Sequence, residues 1–225
     1  MKPVVWIGSS RADLRKMPQI VRRNLGQALY AAQQGETDPA AKPLKGFGGT
    51  RVMEIVEGHR SSAYRAVYTA HFKEAIYVLH VFQKKSKRGI ATPKSDMDLI
   101  RMRFAEAECF HPGKAKLMKK TTIRTHADTG NIFADLGLPN PEQEMLKARL
   151  TLRIYKIIKT RGLTQVDAGE ILGIKQPHVS ALMRNRAGNF SIGRLIEFLT
   201  ALGQDVEITV KPTRKAHGAM SVVLR

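Results

Sequence analysis

Cysteine, acidic side chains and long apolar runs are all scarce in this sequence. Of its 225 residues only Cys109 is a cysteine, which excludes an intramolecular disulfide and does not favour a cysteine-based metal site. No run of about 18 apolar residues occurs, so no segment is expected to span a bilayer. The apolar stretch at the N-terminus is too short for a signal peptide and predicts a first strand. We therefore expect a cytoplasmic protein.

The shortage of acidic residues leaves a strongly basic chain. Lys and Arg number 38 against 19 Asp and Glu, which gives a formal net charge of +19 and a pI near 10.4. Residues 1–116 hold 21 basic and 10 acidic groups, and residues 117–225 hold 17 and 9. Such a charge favours a nucleic-acid partner over a merely solubilising excess, and a membrane surface is the weaker polyanion alternative.

The first 110 residues combine helical and strand patterns. Apolar residues recur every three or four positions from Ser9 to Gln34, which predicts one long amphipathic helix. Three β-branched and aromatic runs then predict an antiparallel meander: Arg51–Val56, Ser62–Tyr68 and Ile76–Phe82. Pro93 introduces a helix to about Glu108. Residues 1–110 are thus predicted to form an α+β domain, and the lysine-rich stretch 111–128 a linker.

The second half has a helical rhythm. Helices are predicted at Pro141–Arg161, Thr164–Leu172, Gln176–Arg184 and Ser191–Leu202, followed by a short strand at Asp205–Val210. Residues 129–212 are therefore predicted to form an all-α domain with a short terminal strand. The basic tail 213–225 is expected to be flexible.

Residues 164–184 have the pattern of a helix-turn-helix. Thr164 suits an N-cap, Gly173 supplies the positive φ of the turn, and Pro177 lies in a first turn, where its missing N–H is not needed. An ordinary helical hairpin is the alternative interpretation. The residues expected to contact DNA are Thr164, Gln165, Lys175, Gln176, Pro177, His178, Ser180 and Arg184.

This segment resembles the XRE, or Cro/C1-type, helix-turn-helix family, whose motif runs Thr-Gln, a small residue, Leu-Gly-Ile, Gln and Val-Ser. Gly169 departs from the family pattern, because a better helix former is more common there and glycine costs ~1 kcal/mol of helix stability. The resemblance implies binding to operator DNA. It also implies a homodimer through this half of the chain, because one helix-turn-helix covers a single half-site.

The N-terminal half contains no evident paired carboxylates, metal-ligand set or glycine-rich phosphate loop. Basic residues around a sheet can nevertheless cleave RNA, because the 2′-hydroxyl is the substrate's own nucleophile. The protein needs only to orient that hydroxyl, stabilise the phosphorane charge and supply a proton. We therefore expect neither a metal nor a cofactor.

Three stretches, Tyr64–Tyr68, Ile76–Lys87 and Thr92–Lys94, resemble the HigB-like branch of the RelE toxin superfamily, over about residues 3–109. The resemblance implies an endoribonuclease that cleaves messenger RNA, commonly on the ribosome. Burial of the histidine in the central strand, and a solvated lysine run at the strand end, are the open alternatives. The implied catalytic residues are Arg65, Lys84, Lys85, Lys87 and His80, and the implied RNA contacts are Arg51 and Arg88.

Residues Thr129–Pro139, followed by the helix-turn-helix, resemble a HigA-type antitoxin. The chain thus resembles a toxin fused to an antitoxin that restrains it and represses its own operon, with apolar docking expected through residues 129–150. One alternative is a transcriptional regulator whose N-terminal domain has lost catalysis and only senses or dimerises. Another is a generic RNA-binding sheet, although the exposed aromatic pairs of such modules are missing.

Overall fold

The chain divides into two units, residues 1–138 and 139–225, in the computed structural model of the protein. The structure describes residues 1–84, 92–110, 125–127, 129–184, 186, 188, 190–214, 218, 220 and 222. Within these ranges the first unit contains strands and helices, and the second contains helices. The predicted order, an α+β domain followed by a helical domain, is confirmed.

The described strands of the first unit form one sheet. They are β1 (Val4–Ile7), β2 (Ala41–Pro43), β3 (Val52–His59), β4 (Ser62–Thr69), β5 (Ile76–Lys84) and β6 (Thr125–Ala127), in the spatial order β2-β3-β4-β5-β1-β6. The predicted meander is confirmed, because β3, β4 and β5 pair antiparallel in succession. β1 pairs parallel with β5, and β6 pairs antiparallel with β1.

Two helices occupy the stretch predicted to be one: α1 (Ser10–Arg15) and α2 (Gln19–Gln33). The prediction of a single helix from Ser9 to Gln34 is wrong because of Pro18. Proline lacks a backbone N–H and disfavours the helical conformation of the residue before it, so the chain breaks there and restarts. Both helices still bury one apolar face, which is why the periodicity crosses the break.

Helix α3 (Lys94–Phe110) begins directly after Pro93, as predicted. It contacts β5, and its Ile100 and Phe104 pack with Val67 and Leu79 of the sheet in one buried cluster. Helix α2 contacts β3, and α1 contacts β1 and β5. Helices α1, α2 and α3 thus pack against the sheet and help to bury its apolar side chains.

The boundary between the predicted domains differs from that of the two units. Residues 125–127, predicted as linker, form β6, whereas 111–124 lie outside the described residues. The next helix, α4 (Ile132–Asp135), contacts α2 and belongs to the first unit, although the C-terminal domain was predicted to begin at residue 129. The second unit begins at Pro139.

Four helices of the second unit lie within the predicted ranges: α5 (Pro141–Thr160), α6 (Gln165–Leu172), α7 (Gln176–Met183) and α8 (Ile192–Ala201). Their apolar faces meet in one buried cluster that includes Ile154, Val179 and Leu195, each 0% exposed. Packing of α5 against α8 and of α6 against α7 holds the helix-turn-helix on a single core.

One expectation for the C-terminal segment is not met. The predicted strand Asp205–Val210 is exposed and unpaired, because the described part of the second unit offers no strand partner for its backbone. Most of the tail 213–225, expected to be flexible, lies outside the described residues; Val222, which is described, packs against the buried cluster, and its carbonyl accepts a hydrogen bond from Arg149 at 3.0 Å. Within the described residues, none of the helices combines the length and hydropathy needed to cross a bilayer.

Candidate nucleic-acid interface

The helix-turn-helix begins with a reciprocal cap at Thr164. The Thr164 hydroxyl accepts a hydrogen bond from the Asp167 backbone N–H at 3.2 Å, and the Asp167 carboxylate accepts one from the Thr164 N–H at 2.9 Å. The Asp167 carboxylate also accepts a hydrogen bond from the Thr164 hydroxyl at 2.7 Å, and this bond, together with the one from the Thr164 N–H, lowers the pKa of Asp167 below its ordinary value. The turn after α6 is made by Gly173 in the left-handed conformation, φ 62°, as its sequence position predicts. The cap and the turn fix where each helix of the motif begins.

The packing around residue 169 explains why a glycine stands where the XRE pattern has a better helix former. A Cβ atom at this position would lie 2.9 Å from the Ile174 carbonyl oxygen, and that oxygen is backbone that cannot rotate away. The glycine therefore allows the chain after the turn to pass close to α6. Glycine occupies this position despite its low helix propensity, because the Cβ atom of any other residue would collide with that chain.

The residues predicted to contact DNA lie on the exposed side of the motif. Ser180 is half-buried, and the other seven are exposed: Thr164, Gln165, Lys175, Gln176, Pro177, His178 and Arg184. Pro177 occupies the first turn of α7, as predicted. The apolar residues of the same helix, Val179 and Leu182, point into the core. Helix α7 thus separates a buried apolar side from an exposed polar side.

Gln165 and Gln176 form a contact that sequence reasoning missed. The Gln176 side-chain amide donates to the Gln165 side-chain oxygen at 3.0 Å, which links the first residues of α6 and α7. The Gln176 amide keeps its oxygen and a second N–H for another partner. Both glutamines had been predicted as DNA contacts, but their mutual bond depends on the angle between the two helices, and sequence spacing does not give that angle.

In the first unit, the sheet brings together three of the residues predicted to be catalytic. Arg65 lies opposite Phe82 in the β4–β5 register, His80 lies opposite Val67, and Lys84 lies opposite Ala63. Facing residues of antiparallel strands share a sheet face, so Arg65, His80 and Lys84 are on one face. Lys85, Lys87 and Arg88 lie outside the described residues.

Arg65 is buried and paired with a carboxylate. Only 7% of the residue is exposed, and its guanidinium forms an ion pair with Glu54 and approaches the Thr92 hydroxyl at 3.4 Å. Glu54 was missed in the sequence. It could have been found, because the β3–β4 register places it diagonally across from Arg65 on the same face. In this arrangement Glu54 offsets the positive charge that a phosphate would need.

The His80 side chain lies between the Asp96 carboxylate and the Arg103 guanidinium. Its Nε2–H donates to Asp96 at 3.0 Å, and its Nδ1 accepts from Arg103 at 3.4 Å. Burial lowers the pKa of the imidazole below its ordinary value and Arg103 acts in the same direction, whereas the bond to Asp96 offsets only part of this effect. Both ring nitrogens are thus engaged in a neutral, 7%-exposed side chain. The structure agrees with the alternative of a buried histidine.

Arg51, predicted to contact RNA, lies at the start of β3 in a short 3-10 turn, Gly49–Arg51. It forms an ion pair with Glu108, and its guanidinium carbon lies 5.0 Å from the centre of the Phe104 ring. Its side chain remains 45% exposed. Within the described ranges, no three His, Cys, Asp or Glu side chains are grouped closely enough to hold a metal ion.

Helix α4 and the turn after it are anchored to α1 and α2. Arg11 of α1 donates to the Asp135 carboxylate at 2.8 Å, and Asp135 is 0% exposed. Arg22 of α2 donates to the carbonyls of Leu136 and Gly137 at 2.8 and 2.9 Å. We call residues Asn131–Leu138 the docking segment.

An apolar contact completes the docking. Phe133 and Leu136 are both fully buried, and they face Gly26 of α2, where a Cβ atom would approach the Leu136 side chain to 2.8 Å. The glycine therefore permits close approach of the docking segment. Apolar docking had been expected through residues 129–150, and the described contacts with α2 lie within residues 131–138.

The chain thus consists of an α/β unit, with the docking segment packed on it, and a helix-turn-helix unit. Comparison of the sequence with protein families finds a match for each of these parts. Residues 132–211 match a family described as a helix-turn-helix domain, and residues 12–105 match the family "Phage derived protein Gp49-like". No curated protein matches the chain. One solved structure, described as an XRE family transcriptional regulator, is 40% identical, with 39% of this chain and 100% of that chain covered and a TM-score of 0.36.

The class is therefore a DNA-binding helix-turn-helix regulator fused to a domain of a RelE-like toxin family. Residues 12–105 are thus similar to the phage-derived Gp49-like proteins, and residues 132–211 are similar to helix-turn-helix domains. The match to the helix-turn-helix family begins at Ile132, although α4 packs in the first unit. The docking segment thus belongs to one domain by sequence and to the other by packing.

Proposed function

We propose that the protein is a fused type II toxin–antitoxin of the HigB–HigA kind, acting in the cytoplasm. The N-terminal domain is a metal-independent endoribonuclease that cleaves messenger RNA on the ribosome. The C-terminal domain binds operator DNA, represses its own operon and holds the nuclease inactive. The observation that carries the proposal is the docking segment, because a stretch that belongs by sequence to the DNA-binding domain is buried on the toxin-family domain.

The docking segment supports restraint by a tether. A linker joining the two domains fixes their stoichiometry at one to one and replaces a bimolecular encounter with a high effective concentration. The buried contacts of Phe133 and Leu136 and the ion pair of Asp135 provide the affinity. Separate antitoxins must find their toxins by diffusion, whereas this chain carries its inhibitor with it.

The proposed cleavage uses the basic face of β4 and β5. The substrate 2′-hydroxyl gives up its proton and attacks the adjacent phosphate, the P–O5′ bond breaks, and the departing 5′-oxygen takes up a proton, which leaves a 2′,3′-cyclic phosphate. Arg65 and the lysines that follow in sequence at and after Lys84 stabilise the charge that develops on the phosphorane. Because Glu54 pairs with Arg65 in the present arrangement, RNA must compete with that carboxylate for the guanidinium. A proton donor other than His80 is needed, because Asp96 and Arg103 engage both of its nitrogens.

Operator recognition uses α7 in the major groove. Glutamine side chains read adenine through one N–H and the amide oxygen, and the bond from Gln176 to Gln165 leaves the Gln176 amide with that pair of groups. Lys175 and Arg184 are exposed cations at the two ends of α7 and suit phosphate contacts. Two copies are needed for paired half-sites one DNA turn apart.

A specific observation favours a second candidate, a transcriptional regulator with a catalytically inactive RelE-like domain. Arg65 and His80 are both buried and engaged with protein groups, as structural residues would be. Such a domain would sense or dimerise without cleaving RNA. The two candidates share DNA binding and differ only in the N-terminal activity.

Expression in a bacterial host distinguishes the two candidates. Residues 1–113 produced alone should arrest growth, and the full chain should not. The Lys84→Ala/Lys85→Ala double variant of the fragment should relieve the arrest because it removes cations from the phosphate contact. Harmless accumulation of the unmutated fragment at good yield would favour the inactive regulator.

A further inference from the structure

Three arginines of α1 and α2 converge on the docking segment. Two of them, Arg11 and Arg22, donate to its Asp135 carboxylate and to two of its backbone carbonyls, at 2.8 to 2.9 Å. The third, Arg15, places its guanidinium beside Gly137, where a Cβ atom would lie 3.2 Å from the arginine Nε. We call Arg11, Arg15 and Arg22 the arginine cluster.

The break between the two helices brings the arginine cluster together. Arg11 and Arg15 are four positions apart on α1, so they lie on one side of that helix. Pro18 separates α1 from α2, and Arg22 follows in the first turn of α2, where its N–H donates to the Pro18 carbonyl at 3.0 Å. The chain thus turns after α1 and returns a third guanidinium to the same part of the surface.

The docking segment neutralises the arginine cluster only in part. Asp135 is the only charged residue within 131–138, so one carboxylate meets three guanidinium groups. Backbone carbonyls accept hydrogen bonds but carry no full negative charge. Each guanidinium has five N–H donors in a planar fork that matches the oxygens of a carboxylate or a phosphate. The cluster is therefore suited to a ligand with more anionic oxygens than the docking segment supplies.

Helix α1 joins the arginine cluster to the proposed cleavage face. It contacts β5, the strand that carries His80. The Arg103 guanidinium donates to the Ser9 hydroxyl at 3.0 Å and lies 3.4 Å from the His80 Nδ1, so a single side chain links the central strand to the residue that precedes α1. Arg11 follows Ser9 by two positions. An RNA strand that crosses β5 and α1 would therefore meet cations on both elements.

We infer that the arginine cluster binds phosphates of single-stranded RNA. The docking segment occupies the same site, with the Asp135 carboxylate and two carbonyl oxygens in the place of phosphate oxygens. The inference deepens the proposed restraint and rests on it, because it states what the docking segment displaces. RNA and the docking segment then exclude each other, and each weakens the binding of the other by the same factor.

RNA binding by the undocked full chain tests the inference. Gly26→Leu displaces the docking segment from the α2 side without changing any charge, because even a Cβ atom at this position would lie 2.8 Å from the Leu136 side chain. Limited proteolysis within residues 129–138 verifies the displacement. The probe is a labelled single-stranded 2′-O-methyl RNA, which keeps the phosphates but lacks the free hydroxyl needed for cleavage. Binding is thus measured whether or not the N-terminal domain is a nuclease.

Gly26→Leu should bind the probe at least about fivefold more tightly than the unmutated chain. Adding Arg11→Ala/Arg22→Ala should remove this gain and reduce the slope of log affinity against log salt by about 1.4, because each phosphate contact on a single strand contributes about 0.7. Lys45→Ala/Arg101→Ala in the same background is the matched control, because both side chains are exposed, lie outside the cluster and remove the same charge. The helix-turn-helix unit is identical in all these proteins, so its own binding to RNA cancels.

No gain on displacement of the docking segment, or equal losses from the two double variants, would overturn the inference. If RNA cleavage by the undocked chain succeeded at the same time, the proposed function would stand without it. A gain in binding without cleavage of ordinary RNA would support the inference and favour the inactive regulator. Circular dichroism verifies each fold. If Gly26→Leu does not fold, Phe133→Asp takes its place, and the same two double variants are compared in that background.

Discussion

Arg11 and Asp135 are 124 positions apart in the sequence and lie 2.8 Å apart, guanidinium nitrogen to carboxylate oxygen. Asp135 is fully buried, and Arg11 is about one quarter exposed. The pair ties α1, in which the match to the Gp49-like family begins at residue 12, to α4, which the match to the helix-turn-helix family includes. The proposed restraint of the nuclease depends on this link between the two families.

Asp135→Ala should loosen the docking segment. Arg11 and the Thr129 N–H would lose a buried acceptor, and hydrogen bonds to charged groups contribute about 1.5–3 kcal/mol each. Limited proteolysis should cut residues 129–138 faster in the variant. Asp98→Ala is the control, because Asp98 pairs with Arg101 where both side chains are 56% exposed, and such pairs contribute little. Equal cutting rates in the two variants would refute the anchoring role.

Gly169→Ala should destabilise the helix-turn-helix, although alanine is ordinarily the better helix former. The added Cβ would lie 2.9 Å from the Ile174 carbonyl oxygen, and overpacking of this kind costs about 1–3 kcal/mol. Urea unfolding followed by circular dichroism measures the change. Gly193→Ala on α8 is the control, because the nearest atom to its Cβ would be 3.9 Å away, and it should be neutral or stabilising by up to about 1 kcal/mol. Stabilisation by both alanines would contradict the steric explanation.

His80 should make the N-terminal domain less stable in mild acid. Its pKa in the folded state is lowered, so as the pH falls below 6.5, the ordinary value for histidine, the unfolded chain takes up a proton before the folded one does. Stability due to the neutral imidazole is therefore present at higher pH and decreases below about 6.5. Nuclear magnetic resonance titration of the His80 ring checks this directly. A midpoint at or above 6.5 would show that the imidazole is not held neutral.

Gln176→Ala and Lys175→Ala should affect DNA binding in different ways. Loss of the Gln176 amide should cost about 1–3 kcal/mol of discrimination at one base position, because glutamine reads a base edge. Loss of Lys175 should weaken binding to all sequences alike and reduce the salt slope by about one. Selection from a random DNA library, followed by salt titrations on the selected site, separates these effects. A uniform loss for Gln176→Ala would exclude base reading by that residue.

The periodic elements of this protein could be predicted from its sequence. Strands β3 to β5 and helices α5 to α8 bury one face each, and that burial leaves a period of two or of three to four in the sequence. The turn at Gly173 and the cap at Thr164 depend on local backbone chemistry and were predicted for the same reason. The break at Pro18 was visible as well, but the amphipathic pattern continues across it and obscured it.

Contacts between distant segments could not be predicted in this way. The parallel pairing of β1 with β5 joins strands about 70 residues apart, and the docking of Leu136 against Gly26 depends on the path of the intervening chain. The strand at Asp205–Val210 was predicted from its alternation, which describes a preference of the segment, whereas a strand also needs a partner. The family resemblance suggested Arg65 as a phosphate ligand, and its pairing with Glu54 on the neighbouring strand was overlooked.

The central claim is that the docking segment restrains a nuclease, and RNA cleavage by the purified full chain tests it most directly. A site for a specific protease inserted within residues 111–124 allows the chain to be cut, and Phe133→Asp weakens the docking that would otherwise hold the pieces together. Val166→Asp replaces Phe133→Asp in the control, and circular dichroism verifies that each protein is folded.

The account predicts that the intact chain leaves RNA uncut and that the cut Phe133→Asp chain cleaves it, with the cleavage abolished by Lys84→Ala/Lys85→Ala. The cut Val166→Asp control should stay much less active because its docking segment remains in place. A folded, cut and undocked chain that leaves RNA intact would contradict the account, as would an intact chain that is equally active.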